Sequence, residues 1–353
     1  MRNMPVKHSL FSLGRCARPL ALALLATWAG VATGQDAPRW RYSWANDEFL
    51  GSDNQFTNGI SLQKHSALAE SLAAASGTPA FGKHLAAWIL PERDDLFYRE
   101  TWTIGQNMQT PNNINARDVI LTDVPYVGML GWANSFIAFN DRELTGFQTL
   151  LGWVGDLTLA EQAQSTAHRI TGASDPNGWR NQLDNEPLLN VYVMRKQKFY
   201  STGWMDAAWN LDAALGNFFS HGQAALEFRF GDRPRGFAPA ATPTGRNLDY
   251  DGRIRDPGAR HFYASAILRT TGLLYAMPRD GNLLRSGNEW TENNRLDPER
   301  LLGQLILGLH LERPRWGAHL TVVLASDTVD IENGAEIEDP RNSFVILSAE
   351  WRF

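Results

Sequence analysis

The side chains with the clearest chemical potential lie in the first half of the chain: Asn46 and Asp47, Thr57, Arg117, and Gln164 and His168 four positions apart. Together they offer an imidazole, a carboxylate, a hydroxyl, amides and a cation, with Asp184 and Glu186 as further carboxylates. Other hydrolytic designs are missing from the sequence. It has no HExxH or paired-histidine zinc spacing and no GxSxG elbow. Its one cysteine, Cys16, precedes an apolar leader, so the mature chain has no thiol nucleophile, disulfide or cysteine-ligated metal. The simplest remaining design is a water deprotonated by histidine. Oxygen-rich groups beside that histidine would suit a hard cation such as calcium, able to polarise an ester carbonyl.

In isolation each residue has a plainer reading. His168 falls in AEQAQSTAHRI, a short amphipathic helix that would carry a surface histidine. Asn46-Asp47 and Thr57-Asn58-Gly59 read as turn residues, Asp184 to Glu186 as a solvated loop, and Arg117 as a rim charge. Whether they form a site depends on the elements that carry them.

Residues 1–34 have the pattern of a secretory signal peptide. Arg2, Lys7, Arg15 and Arg18 form a positive start, Pro19 to Ala32 an apolar run of about 14 residues, and Ala32 and Gly34 place cleavage before Gln35. No later run of about 18 apolar residues could form a membrane helix. Residues 35–353 then read as a single all-β domain. A net charge of -5 argues against a nucleic-acid partner. Thirteen Trp, 17 Phe and 8 Tyr accompany a mean hydropathy of -0.32. That combination fits a barrel in lipid, with aromatic girdles at both interfaces and a polar lumen.

The strand signal is period two. Leu301 to Leu311 places leucine at five of six odd positions, opposite Gln304 and His310, and Trp316 to Leu324 alternates likewise. About twelve strands follow, near 40–47, 54–65, 98–110, 126–139, 142–154, 187–199, 203–217, 222–231, 258–271, 299–312, 315–328 and 342–353. An even count closes an antiparallel transmembrane barrel with both termini in the periplasm. By parity the connections 48–53, 111–125 and 155–186, which hold the polar residues named above, share the extracellular rim. Segment 66–97 reads as one or two short helices on the periplasmic side, where turns are usually short. Thr57 falls in phase with Ser61 and Gln63, towards the lumen, and Asn46 with Trp44 and Tyr42, towards lipid.

Five ordered blocks carry a family resemblance: WANDEFLGSDNQFTNGISLQ, GQNMQTPNNI, DVPYVGML, GWVGDLTLAEQAQSTAHRITG and GWRNQLDNEP. In order and spacing they resemble the lipid A 3-O-deacylases, outer-membrane barrel enzymes. The resemblance implies a twelve-stranded barrel with its active site near the outer rim, hydrolysing the 3-linked acyloxyacyl chain of lipopolysaccharide with calcium. It implies His168 as general base, Gln164 one helical turn before it, Asn46 and Asp47 as the ND pair with Asp47 orienting the water or binding calcium, and Thr57 as the hydroxyl residue. Two positions depart from the family. Asp123-Val124-Pro125-Tyr126 stands where DRPY is common, and Ala116-Arg117 where a Lys-Arg pair can stand, leaving Arg117 as the oxyanion or phosphate contact. The terminal Phe353, preceded by alternating apolar positions, resembles the signal read by the outer-membrane assembly machinery. Two rivals share the architecture: a phospholipase-like acyl hydrolase, whose His-Ser pair is not recognisable here, and a non-catalytic channel or structural barrel.

Overall fold

The computed structural model describes residues 38–50, 55–75, 81–172, 174–239, 260–331 and 339–352. The signal-peptide reading and Phe353 lie outside the described residues. Twelve antiparallel strands close into one barrel: β1 (Arg39–Asn46), β2 (Gln55–His65), β3 (Phe97–Thr110), β4 (Val127–Phe139), β5 (Glu143–Val154), β6 (Glu186–Ser201), β7 (Met205–Gly216), β8 (Phe219–Asp232), β9 (His261–Ala276), β11 (Leu301–Glu312), β12 (Trp316–Ala325) and β14 (Phe344–Arg352). Closure joins β1 to β14, from Arg39 opposite Arg352 to Asn46 opposite Val345. The expected all-β barrel and its strand count are borne out. The sequence does not indicate two short strands, β10 (Leu296–Pro298) and β13 (Val329–Ile331), which pair with each other in a separate sheet. Three residues are too few to set a period. β9 also continues past 271 to Ala276, where a bulge at Ser220/His221 keeps it paired with β8.

Alternation sorts the side chains. On β1, Arg39, Arg41, Ser43 and Ala45 point inward while Trp40, Tyr42, Trp44 and Asn46 point outward. Leucines such as Leu211, Leu226, Leu268, Leu307 and Leu320 form the outward apolar belt. Tyr200, Trp204, Phe262 and Trp316 ring the edge where β6 ends and β7, β9 and β12 begin, the girdle expected of a membrane barrel.

The lumen is filled rather than open. In the half nearest that edge Arg41 donates to Glu350 through Nε at 2.8 Å and Nη2 at 2.5 Å. Arg229 similarly grips Asp206, and Lys196 pairs with Glu227 at 2.9 Å. Such buried charges persist only when paired and hydrogen-bonded. Arg229 also draws the segment after β8 upward, donating to the carbonyls of Pro234 at 3.1 Å and Gly236 at 2.5 Å. Phe237 is thereby fully buried beneath Lys196 and Lys198.

The other end is capped by the connection after β9, which carries α4 (Met277–Asp280) and α5 (Glu289–Asn293). Trp290 Nε1 donates to the Asp123 carbonyl at 2.8 Å. Glu186, 0% exposed, accepts from Asn217 Nδ2 at 2.8 Å, Asn282 Nδ2 at 3.1 Å and the Leu284 amide at 3.0 Å. The solvated-loop reading of Asp184 to Glu186 is therefore corrected for Glu186, which ties three connections together. A barrel plugged below and capped above should give no steady ion conductance in planar bilayers; stable open-channel currents would instead favour a pore.

The segment between β2 and β3 forms α1 (Leu72–Ala75) and α2 (Phe81–Ile89), as expected, but the pair does more than make a turn. It folds back against the outside of the wall. Gly82 lies so close that a Cβ there would sit 3.1 Å from Asn134 Oδ1 and 3.3 Å from Thr149 Oγ1. Both residues belong to the outward face of β4 and β5, opposite each other in register. The helices shield this polar patch, while Trp88 of α2 stays 87% exposed, suited to the membrane interface.

Candidate active site at the outer rim

Two groups of residues build the site from opposite sides of β3. The first is the upper end of β1 and β2. Asn46 Nδ2 donates to the Thr57 carbonyl at 2.8 Å, and Thr57 Oγ1 shares a hydrogen bond with Thr110 Oγ1 at 2.7 Å. Thr57 occupies a β-bulge, since Phe56 pairs with Gln109 and Asn58 with Met108. A bulge re-aims one side chain without disturbing the ladder beyond it. Gly59 is required nearby because a Cβ would come within 2.5 Å of Asn107 Oδ1 and 2.7 Å of the Phe56 ring. Asp47 ends β1 with only 1% exposure. Asn46 keeps the outward phase read from the sequence, whereas the lumen-facing reading of Thr57 is corrected: the bulge leaves Phe56 lining the lumen and turns Thr57 to Thr110, which shares the outward phase of Ile104 and Gln106.

The second group rides on α3 (Ala160–Thr171), entered through a 3-10 turn at Asp156–Thr158. Helix and turn lie against the outer wall. Gln106 Nε2 on β3 donates to the Thr158 carbonyl at 2.6 Å. A Cβ on Gly128 of β4 would meet Thr158 Oγ1 at 2.2 Å and Ala160 Cβ at 2.6 Å, so glycine permits the approach. Leu159 enters the helix at φ 56°, the left-handed region that a leucine adopts only at some cost in strain.

At the other end, Gly172 takes φ 78° and its amide caps the His168 carbonyl at 2.7 Å. The chain then turns back so that the Ser174 carbonyl lies 2.5 Å from His168 Nδ1. A carbonyl only accepts, so Nδ1 carries the proton and Nε2 the lone pair. His168 is half-buried.

Gln164, one turn earlier, is 3% exposed. Its Oε1 accepts from Trp179 Nε1 at 2.7 Å, and its Nε2 is buried with no hydrogen-bond partner among the described residues. Trp179 packs on Tyr126 with ring centroids 4.9 Å apart, and Tyr126 donates to the Ile114 carbonyl at 3.0 Å. Asp123 receives the backbone and side-chain N–H of Asn112, at 2.7 and 2.9 Å, and the Val124 amide at 2.8 Å. Asn112, Asp123, Tyr126 and Trp179 all lie inside the ordered blocks, but nothing in the sequence marks them as positioning residues.

Arg117 is exposed, and its carbonyl accepts from Arg180 Nε at 3.0 Å and Asn181 Nδ2 at 2.9 Å. Arg180 also pairs with Asp118 at 2.9 Å. The basic part of the rim thus holds a second guanidinium beside Arg117.

For calcium, the donor type fits: Asp47 supplies a buried carboxylate, with amide and hydroxyl oxygens of Asn46 and Thr57 on the same rim. Among the described residues no group of three or more His, Cys, Asp or Glu side chains gathers at one point.

Comparison with known proteins places the chain in a family. The family model for outer membrane protein LpxR matches residues 19–353. The chain belongs to the LpxR family. It is therefore a protein of the bacterial outer membrane and a member of a family of enzymes acting on lipid A. LpxR from Salmonella typhimurium superposes with a TM-score of 0.69 at 14% identity, over 89% of this chain and 100% of that one. The β domain of the Bordetella autotransporter BrkA matches at TM-score 0.41 and 9% identity, over 90% of this chain and 99% of that one. No curated protein matches the sequence.

Proposed function

We propose that this LpxR-family barrel is a carboxylic ester hydrolase that removes the 3-position acyloxyacyl chain of lipid A using a water activated by His168. The observation that carries the reading is the His168–Ser174 hydrogen bond on a helix outside the barrel wall. It leaves Nε2 as the basic nitrogen, at a height where lipid in the outer leaflet meets water. Nε2 takes a proton as the water attacks the acyl carbonyl, and the Ser174 carbonyl steadies the imidazolium that forms. The same imidazolium returns the proton to the sugar oxygen as the ester bond breaks, releasing a fatty-acid carboxylate. The Gln164 amide, buried beside this face of α3, is a donor for the developing oxyanion, and Arg117 with Arg180 faces the anionic headgroup. Asp47 orients the water or, with Asn46 and Thr57, holds calcium. Bound there, calcium would polarise the ester carbonyl.

The outward placement of Asn46, Thr57 and α3 supports a substrate whose acyl chains stay in the bilayer while the ester reaches the site. Mass spectrometry of lipid A from cells producing the protein should show loss of one acyloxyacyl unit. Purified protein should cleave lipopolysaccharide but not phospholipid; the reverse preference would establish the phospholipase-like alternative instead.

A further inference from the structure

A cavity of about 200 Å³ lies inside the barrel, between the plug below and the cap above. It is larger than the roughly 150 Å³ engineered apolar cavity that takes up benzene. Much of its lining is apolar, including Phe56, Met129, Phe218, Leu302 and Phe344. Its polar lining is one-sided in charge. Arg269 and Arg279 reach it, and among the described residues no Asp or Glu does. His221, also on its surface, is paired with Asp212 at 3.0 Å.

Several of these polar groups lack partners. Arg279 is 8% exposed, and its Nη1 is buried with no hydrogen-bond partner among the described residues. Both amide atoms of Asn107 and Nε2 of Gln223 share that condition. Arg269, which is not among them, contacts Gln304 Oε1 at 3.5 Å as one of its interactions. Burial pulls the Arg279 guanidinium below its usual range, to about 10, against the opposing pull of the neighbouring Asp280 carboxylate. A buried cation and buried amides call for an anionic partner, while the phenylalanines call for hydrocarbon.

We infer that this lumen cavity binds an aliphatic carboxylate of the fatty-acid class, its head group on Arg279 and its tail along Phe218 and Phe344. The inference rests on the cavity's own chemistry and stands apart from the proposed ester hydrolysis. Phe56 and Asn107 form part of the same wall and touch the position of Gly59, two residues from Thr57, so occupancy would press on the back of the candidate active site.

The test is a titration of the purified full barrel in maltoside detergent with carboxyl-labelled octanoate, read by carbon NMR, with octanol and inorganic phosphate as competitors. A saturable shift is expected that neither competitor abolishes. Arg279→Gln should weaken binding by about tenfold or more, the usual worth of a charged hydrogen bond. Leu302→Trp, which fills the cavity from its wall, should abolish it, with heat-modifiable migration on gels confirming that both variants are folded. A shift that does not saturate, or that is identical in both variants, would mean partition into detergent and overturn the proposal. Displacement by phosphate would reduce the cavity to a simple anion site and overturn it equally.

Discussion

His168→Ala should leave lipid A fully acylated in cells that otherwise deacylate it, with the barrel assembled normally. General bases contribute roughly 10²–10⁴-fold, and no other imidazole lies on α3. The geometry makes this more than a surface substitution. Gly172 ends the helix at φ 78°, so the chain returns to give His168 Nδ1 a fixed acceptor in the Ser174 carbonyl. That bond fixes the tautomer and the direction of the ring. Folding should be indifferent to the change, because His168 is only half-buried and takes no part in the cluster of Met108, Tyr126, Ala160 and Trp179 beneath the helix. The measurement is lipid A mass spectrometry, paired with heat-modifiable migration of wild type and variant. Unaltered deacylation by an assembled His168→Ala protein would remove His168 from the mechanism.

The barrel was legible because a wall with lipid on one side and packed polar groups on the other enforces period two over every long strand. Leu301 to Leu311 announces its strand by leucine alone. What period two does not carry is everything off the wall. The three-residue strands β10 and β13 are too short to alternate, and Glu186 looks like a loop acid until Asn217, Asn282 and Leu284 close around it. The return of α1 and α2 against the outer wall had no sequence signature beyond its helix-like pattern. Its necessity shows only in register, where Asn134 and Thr149 face outward together and need covering. In the candidate site, parity placed the loops on one rim and gave the phase of Asn46, but a bulge, which strict alternation does not anticipate, turned Thr57 out of the lumen phase. It could not show that Trp179 clamps Gln164 or that Arg180 stands beside Arg117. Those contacts join residues far apart in sequence, and resemblance alone had grouped their blocks.

Asp47→Asn should raise the calcium concentration needed for half-maximal deacylation by about tenfold or more, and chelation should silence the wild type reversibly. Calcium binds oxygen ligands, and its affinity is tuned by how many of them are charged. Asp47, directly after β1, is a carboxylate only 1% exposed, while the adjoining Asn46 and Thr57 offer neutral oxygens. Replacing its carboxylate by an amide keeps the shape and removes the charge, so folding should survive while metal affinity falls. The assay uses purified protein and detergent-dispersed lipopolysaccharide with calcium buffered across the titration. Three outcomes separate the roles. A rightward shift that excess calcium rescues makes Asp47 a ligand. A lower ceiling at every calcium concentration, with the midpoint unmoved, makes it the group that orients the water. A wild type indifferent to chelation would remove calcium from the reaction and leave the oxyanion to Gln164, Arg117 and Arg180.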